Sequence, residues 1–247
     1  MTLLRAFPED EPIKKKFVGE MVSWSAKFGD YPAGDPELHH VAGQLYADGG
    51  LHLVRHPESA DTGTEGEAYE AERHLILGTR DSAQVLARME YEWYTQDEDQ
   101  STAALYAARA IFPYLLTRNL RSANASILFF TSALASQGPA VQEVSSSSSD
   151  VRIYPSLPLI NFLSLLLLAV QRGSTDLWRT LKLHYQTQLK EVDGVWDEAL
   201  AGVGEIYFGE RKPKQMNPLA DLMGMFGGGG RSASPKPKPN LPAPGLD

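Results

Sequence analysis

Leu157-Pro158-Leu159-Ile160-Asn161-Phe162-Leu163-Ser164-Leu165-Leu166-Leu167-Leu168-Ala169-Val170 is the stretch on which the fold turns. Leu159, Phe162, Leu163, Leu166 and Val170 recur at helical spacing on one face, and Ile160, Leu165, Leu167 and Leu168 fill the others. A helix that is apolar all round is either enclosed by protein or set in a membrane. Positions 157–170 are too few for a membrane span, which needs about 20 apolar residues. Asn161 and Ser164 interrupt the run, and Gln171-Arg172-Gly173 closes it. The helix must therefore be covered by neighbouring helices or by another chain. Leaving its leucines in water would forfeit about 1.5–3 kcal/mol for each.

Outward from that stretch the chain reads as helices almost throughout. Ile13, Phe17, Met21, Trp24 and Phe28 mark one helix face, ended by Gly29-Asp30-Tyr31-Pro32. Asp35-Pro36 starts a second helix, read as ending near Asp48 because Gly49-Gly50 breaks it. The polar segment 49–67 reads as a loop. Ala68–Leu77, Thr79–Tyr94, Ser101–Arg118 (kinked or interrupted by Pro113) and Leu120–Ser136 follow as helices. Val141–Val144 and Val151–Tyr154 are β-prone runs around Ser145–Ser149, able to pair as a hairpin; the alternative is a plain serine linker. Helix resumes at Leu157–Gln171, Thr175–Leu189 and Gly194–Phe208.

Helices in pairs joined by short breaks are the texture of a repeat array, in which each pair buries its face by stacking on the next. The fold class is thus all-α: an α-solenoid of TPR-like antiparallel helical pairs over 1–209, with one β-hairpin inserted at about 141–154. Residues 210–247 read as a Pro/Gly-rich disordered tail with a short apolar segment at 217–226.

Composition narrows the function. The chain has 247 residues, no cysteine and a formal net charge of -8. Thiol nucleophiles, disulfides and cysteine-ligated metals are excluded, and an acidic chain suits neither nucleic acid nor its phosphates. No phosphate-binding glycine loop, Gly-x-Ser-x-Gly elbow or His-Glu-x-x-His motif is present. The absence of an export signal points to the cytosol. Five of the six histidines lie between His39 and His74, and His52 and His56 are four apart beside Asp48. They read as scattered surface histidines and not a metal site. Glu70/Glu72 and Glu90/Glu92 read as solvated faces. No cofactor, metal or catalytic group is expected.

Several stretches in order resemble the Golgi to ER traffic protein 4 family, the α-solenoid scaffold of the guided entry of tail-anchored proteins pathway. They are Trp24-Ser25 with Lys27-Phe28 and Gly34-Asp35-Pro36; Tyr69-Glu70-Ala71-Glu72-Arg73 with Leu77-Gly78-Thr79; Asn161-Phe162-Leu163; Leu181-Lys182 with His184-Tyr185; and Pro213-Lys214-Gln215 with Asp221-Leu222-Met223. The resemblance implies a non-enzymatic scaffold. Its C-terminal half would bind an adaptor with a ubiquitin-like domain, and through it a co-chaperone. Its N-terminal helices would bind the tail-anchored-protein targeting ATPase. It also places further helical pairs before the stretch that starts here near Pro12 and assigns the ATPase contact to them. The adaptor site is expected on Val141, Val144, Val151, Ile153, Tyr154, Leu159, Phe162, Leu163, Leu166, Trp196, Ile206, Tyr207 and Phe208. The second reading is a generic TPR-like helical-repeat module that binds extended peptides.

Overall fold

A computed structural model describes residues 11–55, 64–137, 142–146 and 149–210. All of them belong to the compact unit that ends at Arg211. The expectations for the tail, including the apolar segment 217–226, lie outside the described residues, as does Val141.

Ten α-helices and one hairpin follow one another among the described residues. They are α1 (Glu11–Phe28), α2 (Pro36–Arg55), α3 (Thr64–Leu77), α4 (Ser82–Tyr94), α5 (Ala103–Leu116), α6 (Leu120–Ser136), β1 (Gln142–Ser146), β2 (Ser149–Ile153), α7 (Pro158–Arg172), α8 (Thr175–His184), α9 (Gln186–Glu191) and α10 (Asp197–Phe208). From α1 to α9 each helix packs on the next, α2 also packs on α4, α4 on α6 and α5 on α7, and α10 returns to pack on α5. Contact with both the next helix and the next but one is the signature of a helical solenoid. The expected all-α solenoid with an inserted hairpin is thus the observed fold.

The helix ends follow local chemistry. Asp35 Oδ1 accepts the backbone N–H of Glu37 at 2.8 Å and opens α2. Asn119 accepts from Ser122 at 3.1 Å and Ser174 from Leu177 at 3.3 Å, opening α6 and α8. Gly173 closes α7 in the left-handed conformation, φ 59°, where a side chain would be strained. Inside, Tyr114 donates to the Leu75 carbonyl at 3.0 Å and Ser126 to the Ala83 carbonyl at 3.2 Å, tying non-adjacent helices through buried hydrogen bonds.

Four expectations are corrected. Gly49-Gly50 do not end α2, which runs on to Arg55. A glycine costs about 1 kcal/mol in a helix and does not forbid one. The expected loop therefore shrinks, because 51–55 and 64–67 are helical. Glu70 and Glu90 are not on solvated faces: both are buried, Glu90 completely. The histidines are not all superficial, since His39 and His74 are buried. Finally, the helix expected over Thr175–Leu189 divides at Tyr185 into α8 and α9. Among the described residues no group of three or more His, Asp or Glu is arranged to hold a metal, and no helix is long and apolar enough to cross a membrane.

Candidate partner-binding site

The C-terminal half is built around the apolar helix with which the reading began. In α7, Ile160, Phe162, Leu163, Leu166 and Leu167 are buried in the chain's own core. Phe162 meets Tyr185 edge-on at 5.6 Å and stacks near Trp196 at 6.1 Å, and Trp196 meets Phe112 of α5 at 5.4 Å. Phe112 of α5, with Tyr185 and Trp196 just before α9 and α10, thus supplies cover that the sequence demanded. Four aromatic rings in offset or edge-on contact give this enclosure a fixed geometry, because the ring quadrupoles favour those arrangements.

The hairpin is fastened to the same helix. Strands β1 and β2 pair antiparallel, Gln142 opposite Ile153 and Val144 opposite Val151. The strands extend further into the serines than expected, to Ser146 and Ser149. Tyr154 follows β2 and is fully buried. The Tyr154 N–H donates to Asn161 Oδ1 at 2.8 Å, and Asn161 Nδ2 donates back to the Tyr154 carbonyl at 2.8 Å. The Tyr154 hydroxyl donates to the Thr131 carbonyl of α6 at 2.6 Å. The lone polar residue near the start of an apolar helix therefore works as a clamp. Its amide bonds both backbone groups of the residue that leaves the hairpin: the N–H, which has no other acceptor among the described residues, and the carbonyl, which also accepts the Leu157 N–H at 3.1 Å.

The far end is closed by α10. Phe208 stacks on Trp178 with centroids 5.0 Å apart and planes 7° from parallel. The Lys182 ammonium sits 4.5 Å from the Trp178 ring and also bonds Glu210 at 2.7 Å. The Tyr207 hydroxyl donates to the Leu115 carbonyl at 2.9 Å. Gly202 lets α10 approach α5 closely, since a Cβ there would lie 2.6 Å from Leu116 Cδ2.

These positions sort the expected site residues. Tyr154, Phe162, Leu163, Leu166 and Trp196 are spent on the intramolecular core and are not presented at the surface in this conformation. Ile153, Leu159, Ile206, Tyr207 and Phe208 remain partly exposed. Val144 and Val151 are placed as strand positions in register.

The open surface of α7 lies on a face the sequence reading did not single out. Leu165, Leu168 and Ala169 of α7 face Leu177 and Leu181 of α8 across a groove of about 260 Å³, with Arg172 and His184 also lining it. Leu177 is 42 % exposed, and Leu183 on the same helix 74 %. The signal existed: Leu165 and Leu168 are three apart, as Leu177 and Leu181 are four apart, so each pair shares one helix face. A helix apolar on every side hides such a signal. The groove offers apolar area with polar groups at its rim, the usual composition of a protein contact surface.

The model of the Golgi to ER traffic protein 4 family matches residues 1–226. The chain belongs to the Golgi to ER traffic protein 4 family. Golgi to ER traffic protein 4 of Aspergillus fumigatus is 52 % identical over 236 residues, spanning 94 % of this chain and 63 % of the relative. The Schizosaccharomyces pombe protein of the same name is 33 % identical, spanning 90 % and 66 %. The human Golgi to ER traffic protein 4 homolog is 27 % identical, spanning 87 % and 56 %. Against these family members the chain spans less than two thirds of the relative's length. A crystal structure of C. therm. Get4 superposes with a TM-score of 0.77 at 51 % identity, over 96 % of this chain and 70 % of that one. The Golgi to ER traffic protein 4 fold is thus shown both by sequence and by structure.

Proposed function

We propose that the chain is a non-enzymatic cytosolic scaffold in the post-translational delivery of tail-anchored membrane proteins to the ER. Its C-terminal half holds an adaptor subunit bearing a ubiquitin-like domain, and through that adaptor reaches a co-chaperone; the targeting ATPase is the partner at the other end of the assembly. Membership of the Golgi to ER traffic protein 4 family supports the assignment of pathway. The observation that carries the adaptor site is the open apolar groove of Leu165, Leu168, Leu177 and Leu181 beside a helix whose other faces are already filled. Exposed apolar area of this kind on an otherwise packed surface is characteristic of a contact site.

The test is retention of the adaptor's N-terminal segment by the full chain in a pull-down. Leu168→Asp and Leu177→Asp place charge in the groove and leave the core intact, so binding falls at least tenfold while the thermal midpoint holds. Wild-type binding by both folded variants would remove the groove from the site. Phe162→Asp and Leu163→Asp are unsuitable, because both side chains are wholly buried and their loss of binding would report unfolding.

A further inference from the structure

Charge is unevenly placed along the chain. Residues 100–190 carry eight Arg or Lys and three Asp or Glu, although the whole chain has a formal net charge of -8. No carboxylate occurs from Gln100 to Gln142, so α5 and α6 contain none. Arg109 of α5 is taken up by Glu72 and Glu90. Arg118 in the α5–α6 turn and Arg121 in the first turn of α6 are exposed, and neither meets a carboxylate among the described residues. Arg118 stands at φ 61°, a conformation that favours glycine. Glycine would relieve the backbone there but would remove the charge.

The α7–α8 turn lies at the same edge. Gln171 Nε2 donates to Asn124 Oδ1 at 2.8 Å, which sets the end of α7 beside the start of α6. Arg121 is three residues before Asn124 and shares its side of α6. Arg172, next to Gln171, lines the groove between α7 and α8. No carboxylate lines that groove, whereas Arg172 and His184 do. On the helices beside this edge, Asp176 opens α8 and Glu205 lies towards the end of α10, two acids against three arginines; Asp197 and Glu198 open α10 at its other end.

We propose that the partner segment held in this groove continues past Arg172 as an acidic stretch, whose Asp or Glu residues are held by Arg121 and Arg118. The inference rests on the reading of the α7–α8 groove as a contact site. Charge complementarity selects the occupant: a segment that leaves the groove with carboxylates meets an arginine-rich edge, and one that leaves it with lysines meets like charge. Arginine suits this task, because its planar guanidinium can make two parallel bonds to one carboxylate.

The experiment uses the full chain and two fluorescein-labelled helical peptides with the same leucine stripe, one ending in a run of glutamates and the other in a run of glutamines. Both should bind, and Leu168→Asp should weaken both, as the groove reading requires. The glutamate peptide is expected to bind about tenfold more tightly at low salt, an advantage that shrinks as salt screens the pairs. The Arg118→Gln/Arg121→Gln variant should erase that advantage, with the affinity of the glutamine peptide and the circular dichroism unchanged. Amide hydrogen exchange should slow at the start of α6 with the glutamate peptide only. Equal affinity of two peptides that both respond to Leu168→Asp would overturn this proposal and leave the groove reading standing. An advantage unmoved by the arginine variant would overturn it too. Failure of both peptides to bind would remove the groove reading and the acidic extension with it. Binding of phosphatidylserine vesicles with the same dependence on Arg118 and Arg121 would overturn the proposal in favour of a lipid surface. Sedimentation showing a dimer that the arginine variant dissociates would overturn it in favour of a second copy.

Discussion

The Nδ1 atoms of His39 and His74 lie 2.9 Å apart inside the chain. The other ring nitrogen of His39 is 3.0 Å from the Ala33 carbonyl, which can only accept, so Nε2 of His39 carries a proton. Neutral His39 then presents a bare Nδ1, and His74 donates to it. The pair fastens the turn between α1 and α2 to α3, and the ring of His74 lies nearly parallel to Tyr46 at 5.8 Å.

This geometry makes the N-terminal half acid-sensitive. Burial lowers the pKa of His74 from 6.5 to about 4; His39 and Arg73 add to the effect and Glu70 opposes it. The unfolded chain takes up a proton near pH 6.5 that the folded chain refuses until about pH 4. Stability is therefore full above pH 6.5 and declines as pH falls towards 4, by about 3 kcal/mol at most. Urea unfolding between pH 7.5 and 4 should show this slope, and His74→Asn should flatten it. An equal slope in the variant would assign the acid sensitivity to other groups.

Glu90 predicts the opposite trend. Burial pushes its carboxyl well above the ordinary carboxylate range, a shift that Arg109 opposes and Glu72 reinforces. Arg109 spans the two acids, pairing with Glu72 and reaching Glu90 through Nε at 3.5 Å, and its guanidinium lies 5.3 Å from the Trp93 ring. A carboxyl raised in the folded state contributes stability below its unfolded pKa that is lost as pH rises through the folded value. Glu90→Gln should change little at pH 5 and stabilise by about 1 kcal/mol at pH 8. Arg109→Ala should lower stability more at pH 8 than at pH 5, because it removes the cation that Glu72 and Glu90 share. Denaturation midpoints of the two variants at both pH values decide the matter; a Glu90→Gln protein less stable at pH 8 than at pH 5 would contradict it.

The Asn161 clamp makes a prediction at the C-terminal end. Asn161→Ala leaves the Tyr154 N–H buried without a partner, while its carbonyl keeps the Leu157 N–H, and should cost about 1–3 kcal/mol. Asn161→Asp sets a buried carboxylate oxygen against the Tyr154 carbonyl, so at neutral pH it should destabilise at least as much as alanine. Amide exchange in β2 should quicken in both variants. Unaltered exchange in Asn161→Ala would mean that the hairpin is held by other contacts.

Truncation of the enclosed face of α7 separates core from surface. Leu163→Ala and Leu166→Ala empty fully buried sites and should each lose about 2–5 kcal/mol. Leu183→Ala, on an exposed side chain of α8, should stay within about 0.5 kcal/mol of wild type. Thermal melts of the three proteins test the distinction directly.

What the sequence determined by itself was the kind of element and the need for enclosure. Helical spacing marked α1 and α3 to α7 to within a few residues, but it ended α2 near Asp48 where the helix runs to Arg55, and it joined α8 and α9 into one. The all-round apolarity of 157–170 required a cover, and β-branched residues on both sides of the serines announced a hairpin. Such features are local, decided by propensity and by periodicity within one helix or strand. Tertiary structure decided which groups are inside. His39 meets a histidine 35 positions away, and Arg109 pairs with an acid 37 positions away. Spacing within α3 or α4 cannot distinguish a solvated glutamate from one covered by a later helix. For the same reason α7 revealed that it must be buried but not on which sides: Tyr185 and Trp196, just before α9 and α10, cover Phe162, and the groove towards α8 stays open. Burial is a property of what the rest of the chain brings to a surface, and that is settled only when the helices stack.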